Sequence, residues 1–163
     1  MAMTSRPFND ADLLKYSEEH VSYEIDMFFG MAEMLSPPNK IGAGSLSDAK
    51  RLNFAMIEAF VVHLRNLIDF LYIKNPQSTD VVASDFCAAW QTTRPPITTT
   101  LESARVRANK ELAHLTRSRL TGTPPAKMWD FPAFANEIKS LLHLFVKNAR
   151  VSALSPVVGQ VIR

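Results

Sequence analysis

The sequence predicts an all-α protein, an up-and-down bundle of four long helices plus one short helix. Apolar residues recur at three- and four-residue spacing through long stretches of the chain. Proline and glycine clusters separate those stretches, and no segment alternates in the manner of a strand. Together these features place the chain among helix-on-helix architectures.

Asn9-Asp10 supplies a cap for a first helix running to about residue 35, where Ser36-Pro37-Pro38 ends it. Leu13, Tyr16, His20, Tyr23, Met27, Met31 and Met34 repeat near the heptad spacing. Leu14, Val21, Ile25, Phe28 and Phe29 make much of the opposite side apolar too, so two neighbours or a second subunit are expected around this helix. His20 falls on the heptad stripe and is expected to be a satisfied structural histidine. After a loop at 39–44, Ser47-Asp48 begins a second helix from 48 to about 74, stopped by Asn75-Pro76. Apolar residues occupy nearly every direction around it, which marks it as central. Its polar residues therefore need partners: Glu58, Arg65 and Asp69 lie within about 20° of one line, and Arg65 to Asp69 is an i,i+4 pair. His63 and Asn66 point elsewhere.

Residues 80–91 read as a short helix or two, with Ser84 as a cap and Phe86, Ala89 and Trp90 on the buried side. Arg94-Pro95-Pro96 resets the chain before a third long helix, from about 98 to 120, with the apolar stripe Ile97, Leu101, Ala104, Ala108, Leu112 and Leu115. Residues 121–127 form a loop, and Asp130 caps a last long helix to about 151, with Phe134, Ile138, Leu141, Leu142, Phe145 and Val146 facing the core. The tail from about 155 is expected to be loose.

The 163 residues are 47% hydrophobic and 21% charged, a balance that excludes general disorder and suits one domain over 1–163. A formal charge of +2 does not by itself argue for nucleic acid. Its distribution says more: Arg105, Arg107, Lys110, Arg117 and Arg119 crowd fifteen residues that hold one glutamate. A single cysteine, Cys87, set among apolar neighbours, permits no intrachain disulfide and fits a packed thiol in a reducing compartment. The most apolar run, 54–73, is broken by Glu58, His63, Arg65, Asn66 and Asp69 and cannot cross a bilayer. With no apolar signal core at the N-terminus, the expectation is a soluble cytoplasmic protein without a membrane partner.

Glycine-rich phosphate loops, Cys-x-x-Cys pairs and a serine elbow are absent from the sequence. Glu111-Leu-Ala-His114 has a spacing used by carboxylate-bridged di-metal bundles, but those need a second copy on another helix. No metal and no cofactor are expected. The stretch that carries chemistry is Arg105-Val-Arg107-Ala-Asn109-Lys110-Glu111-Leu-Ala-His114. Arg107 and His114 are seven apart, so on a helix they share a line to within about 20°, along the border of the apolar stripe.

Arg107, six intervening residues and His114 resemble the motif of the HEPN superfamily (higher eukaryote and prokaryote nucleotide-binding domains), an Arg followed after four to six residues by a His on a late helix of a small bundle. The segments His63-Leu-Arg65-Asn66-Leu-Ile-Asp69-Phe and Asn109-Lys110-Glu-Leu-Ala-His114-Leu-Thr are also similar to those of bacterial HEPN-like proteins. The residue after the motif Arg is often polar in active members; here it is Ala108, with Asn109 next. The resemblance implies a homodimer in which two motifs form one metal-independent ribonuclease cleft, as in defence or toxin–antitoxin systems with an antitoxin or nucleotidyltransferase partner. Arg107 and His114 would then be catalytic. Asn109, Lys110, Arg105 and Arg117 would contact RNA phosphates, supported from the central helix by Glu58, Arg65, Asn66 and Asp69. An imidazole that titrates near neutrality can exchange the proton of a ribose hydroxyl, and a guanidinium can hold the phosphate. The residues equally allow a non-catalytic interaction or nucleotide-binding module, in which Arg107 pairs with Glu111 and His114 bonds a carbonyl or Asp69.

Overall fold

The computed structural model describes residues 8–36, 46–111 and 128–163, and all regular structure among them is helical. The elements are α1 (Asp10–Tyr16), a π turn (Ser17–Val21), α2 (Ser22–Leu35), α3 (Leu46–Tyr72), α4 (Ala83–Phe86), α5 (Trp90–Thr93), α6 (Thr99–Glu111), α7 (Phe131–Asn148) and α8 (Pro156–Gln160). The loops at 39–44 and 121–127, the expected end of the third helix near 120, and Leu112, His114, Leu115, Arg117 and Arg119 lie outside the described residues.

Asn9 caps α1 as its sequence suggests: its side chain accepts from the Asp12 amide at 2.9 Å, and Asp12 returns the bond to the Asn9 amide at 3.2 Å. The first long helix is not continuous, however. At the π turn, Ser17 enters the core, where its hydroxyl donates to the Leu14 carbonyl at 2.8 Å and accepts from the Ser155 amide at 2.9 Å. Widening the turn shifts the phase of every side chain in α2 relative to α1. The buried residues are Leu13, Ser17, Val21, Ser22, Ile25, Phe28, Phe29 and Ala32, so of the heptad stripe only Leu13 is fully inside, with Tyr16 and Met31 packed partly against the core. Tyr23 and Met34 are exposed. His20, expected inside, leaves 59% of its side chain in solvent with its ring 4.8 Å from that of Tyr16.

The N-terminal part of α3 is exposed from Arg51 to Ala55. From Met56 onward its buried residues, among them Phe60, Leu64, Leu67, Ile68 and Leu71, pack between α2 on one side and α6 on the other. Phe60 stacks on Phe28 of α2 at 5.1 Å and meets Phe131 of α7 edge-on at 4.9 Å. The short segment after α3 forms two single turns, α4 and α5, that bury Phe86, Cys87 and Trp90; Ala89, expected inside, is exposed because Cys87 takes the inward position. The Trp90 indole donates to the Leu71 carbonyl at 2.8 Å, closing the C-terminal end of α3.

Asp130 caps α7 through the Ala133 amide, and Phe134, Ile138, Leu141, Leu142 and Phe145 face the core as their spacing requires. The helix stops at Asn148, short of the expected 151, because the Arg150 amide leaves the helical ladder and donates to the Phe86 carbonyl. The tail is ordered and not loose. Ser155 caps α8 with Pro156 in its first turn, Ala153 and Val158 are fully buried, and Arg163 pairs with Asp26 of α2.

Ser17 thus ties the π turn to the tail. Ser17→Ala removes the acceptor of a buried amide, and urea unfolding is expected to show a loss of about 1–3 kcal/mol at an unchanged m value. A loss below about 0.3 kcal/mol would show that the tail docks without this bond.

Candidate functional site

Two helix faces hold the polar residues singled out by the sequence. The first is the inner edge of α3 against α2. One Glu24 oxygen accepts from His63 Nδ1 at 2.7 Å and from the Asn66 amide nitrogen at 3.2 Å. His63 is 8% exposed, and the Tyr23 ring meets its edge at 5.7 Å. Burial pushes the Glu24 carboxyl up, but the bonds from His63 and Asn66 outweigh it and hold the group below the ordinary carboxylate value.

One turn on, Asp69 forms an ion pair with Arg65 of its own helix at 3.6 Å and accepts from Arg105 of α6 at 3.4 Å. The other arm of Arg105 reaches Glu102 at 3.0 Å, the principal reason the guanidinium stays charged above its ordinary range. Arg105 Nε is buried without a hydrogen-bond partner. Arg105, expected on phosphates, is therefore engaged by two carboxylates. Glu58 is exposed, and among the described residues its helix row meets α6 through Asp69.

The second face is that of the motif helix. Leu101, Ala104 and Ala108 form its buried stripe, while Asn109 and Lys110 are exposed. Arg107 sits at the stripe's border. Its guanidinium lies over the Trp129 ring at 4.1 Å and donates to the Met128 carbonyl at 3.1 Å, tying α6 to the segment that leads into α7. His114 and Arg117 lie outside the described residues, as does the Glu111 side chain.

A cleft of about 500 Å³ opens between the π turn and α3. Arg65, Asn66 and Asp69 of α3 line it together with Tyr16, His20, Glu24 and Asp80. Arg107 does not line the cleft. The structure thus gathers Arg65, Asn66 and Asp69 in one place and sets Arg107 in another. Glu24, Glu102 and Trp129 are partners the sequence did not single out. Glu24 and Trp129 meet residues far along the chain, and only Glu102 to Arg105 has a local spacing that signals it. Among the described residues no group of three metal-ligating side chains comes together, and no helix is long and apolar enough to cross a membrane.

None of the protein-family models, curated proteins and solved structures compared with the chain matches it.

Because the folded-state value of Glu24 is depressed, its contribution to stability is complete above the ordinary carboxylate value of 4.5 and is lost as pH falls below it. Glu24→Gln is expected to lower stability at neutral pH, with the gap to wild type shrinking as pH falls through that range. Chemical denaturation at a series of pH values measures it; a gap that widens on acidification would contradict the assignment.

Proposed function

We propose that the chain is a HEPN-like helical module of the non-catalytic kind, an up-and-down bundle whose polar seam is architectural and whose exposed helix faces bind a partner or a nucleotide. The placement of Arg107 carries this reading. Stacked on Trp129 and bonded to the Met128 carbonyl, the motif arginine serves as a tether between α6 and the start of α7. The rest of the seam supports it: Glu24 meets His63 and Asn66 between α2 and α3, Asp69 meets Arg105 between α3 and α6, and Glu102 holds Arg105 within α6. Half-buried charges matched in this way fix helix register.

A second reading is favoured by the position of Arg107 on the border of the buried stripe, beside exposed Asn109 and Lys110. In it the chain is a homodimeric, metal-independent endoribonuclease of a defence or toxin–antitoxin system. His114 moves the proton of a ribose 2′-hydroxyl or of the leaving oxygen, and Arg107 holds the phosphate.

Incubation of purified protein with mixed RNA in EDTA separates the two. The non-catalytic reading expects wild type and His114→Ala to leave RNA equally intact. Cleavage by wild type that falls on the order of a hundredfold or more in His114→Ala would overturn it in favour of the nuclease.

A further inference from the structure

A groove of about 680 Å³, on a face of the protein separate from Arg107, runs between the C-terminal end of α3 and the start of α6. Lys74, Asn75, Gln91, Arg94, Glu102 and Arg105 are its polar lining. Its construction begins with Arg94-Pro95-Pro96. The proline after Arg94 holds that residue in extended backbone, φ −68° and ψ 146°, which ends α5 and turns the guanidinium back onto α3. One arginine nitrogen donates to the Leu71 carbonyl and the guanidinium carbon rests 4.8 Å over the Tyr72 ring. The Tyr72 hydroxyl in turn donates to the Pro95 carbonyl at 3.2 Å, so arginine, phenol and proline lock one another. Arg94 is preorganised and, among the described residues, faces no carboxylate within ion-pair distance.

The charge balance decides what the groove suits. Arg105 is taken up by the carboxylates of Glu102 and Asp69, whereas Lys74 and Arg94, among the described residues, stand in no ion pair. The C-terminal end of α3 adds about half a negative charge, and the Trp90 indole and one Arg94 nitrogen meet it at the Leu71 carbonyl. The two unpaired cations, Lys74 and Arg94, exceed that half charge, so the groove keeps a positive surplus. Around it are donors left over from the fold: the Lys74 ammonium and the Asn75 and Gln91 amides, all exposed. Pro95, Pro96 and Ile97 give the groove an apolar flank beside these donors.

We infer that this groove binds an organic phosphate, with Arg94 and Lys74 on the phosphate oxygens, the Asn75 and Gln91 amides completing its hydrogen bonds, and the proline flank covering the attached ring. An arginine fork held in place and a mobile ammonium are the pairing that phosphate recognition uses, and the volume lies in the range of small-molecule sites. The phosphate can belong to a free phosphometabolite or to an RNA strand. The site is independent of the role of Arg107 and His114.

Calorimetric titration of the full chain with adenosine monophosphate, and separately with a short oligoribonucleotide, tests the inference. Lys74→Glu and Gln91→Glu change exposed side chains outside the core, and each is expected to weaken binding of the recognised probe about tenfold. Affinity for the monophosphate alone identifies a free ligand; affinity for the oligonucleotide, displaced by the monophosphate, identifies a strand. Absence of binding to both probes at millimolar concentration overturns the assignment, as does binding that neither substitution weakens.

Discussion

The arrangement of this protein depends on one carboxylate. Glu24 projects from α2 into the face of α3, where one of its oxygens receives both His63 and Asn66. A half-buried carboxylate without donors costs several kcal/mol, and one with two donors is held. The pair of bonds therefore permits a single register between the two helices, and that register sets Phe28 on Phe60 in the centre of the core. Apolar packing alone tolerates sliding better, because greasy surfaces of similar size interdigitate in more than one way.

The same device recurs one turn along α3. Asp69 draws in Arg105, and Glu102 completes the match, so α6 is oriented by its charges as well as by Leu101, Ala104 and Ala108. Residues two positions apart on a helix are about 200° apart in direction. With Arg105 turned toward α3, Arg107 is carried to the other side, where Trp129 and the Met128 carbonyl receive it. The two arginines of the motif helix thereby tether it to two different neighbours. Arg105 and Arg107, at least half of the basic residues described on this helix, are thus spent on holding the bundle together.

The helical class and most element boundaries were legible in the sequence because caps, prolines and three-to-four spacing are local signals. The core of α7 follows from its pattern residue by residue. The inward face of the first helix did not, and the reason is Ser17: a hydroxyl in the core looks like a gap in an apolar stripe until its bond to the Ser155 amide is seen. The docking of the tail is not legible for the same reason, since it rests on contacts nearly the whole chain length away, such as Arg163 with Asp26. Within the candidate site, the Arg65 to Asp69 pair was readable from its spacing. The partners of His63, Asn66 and Arg107 were not, because Glu24 and Trp129 reach them across helix interfaces that no local period encodes.

An architectural seam and a reactive one differ in what their members do to each other. If the polar residues of α3 exist to fix helix register, they must be energetically coupled in the folded protein whether or not any ligand is present. A double-mutant cycle on Glu24 and His63, read by urea unfolding at neutral pH, is the most direct measurement. The account expects a coupling of about 1–3 kcal/mol. Additive losses, with a coupling indistinguishable from zero, would contradict it.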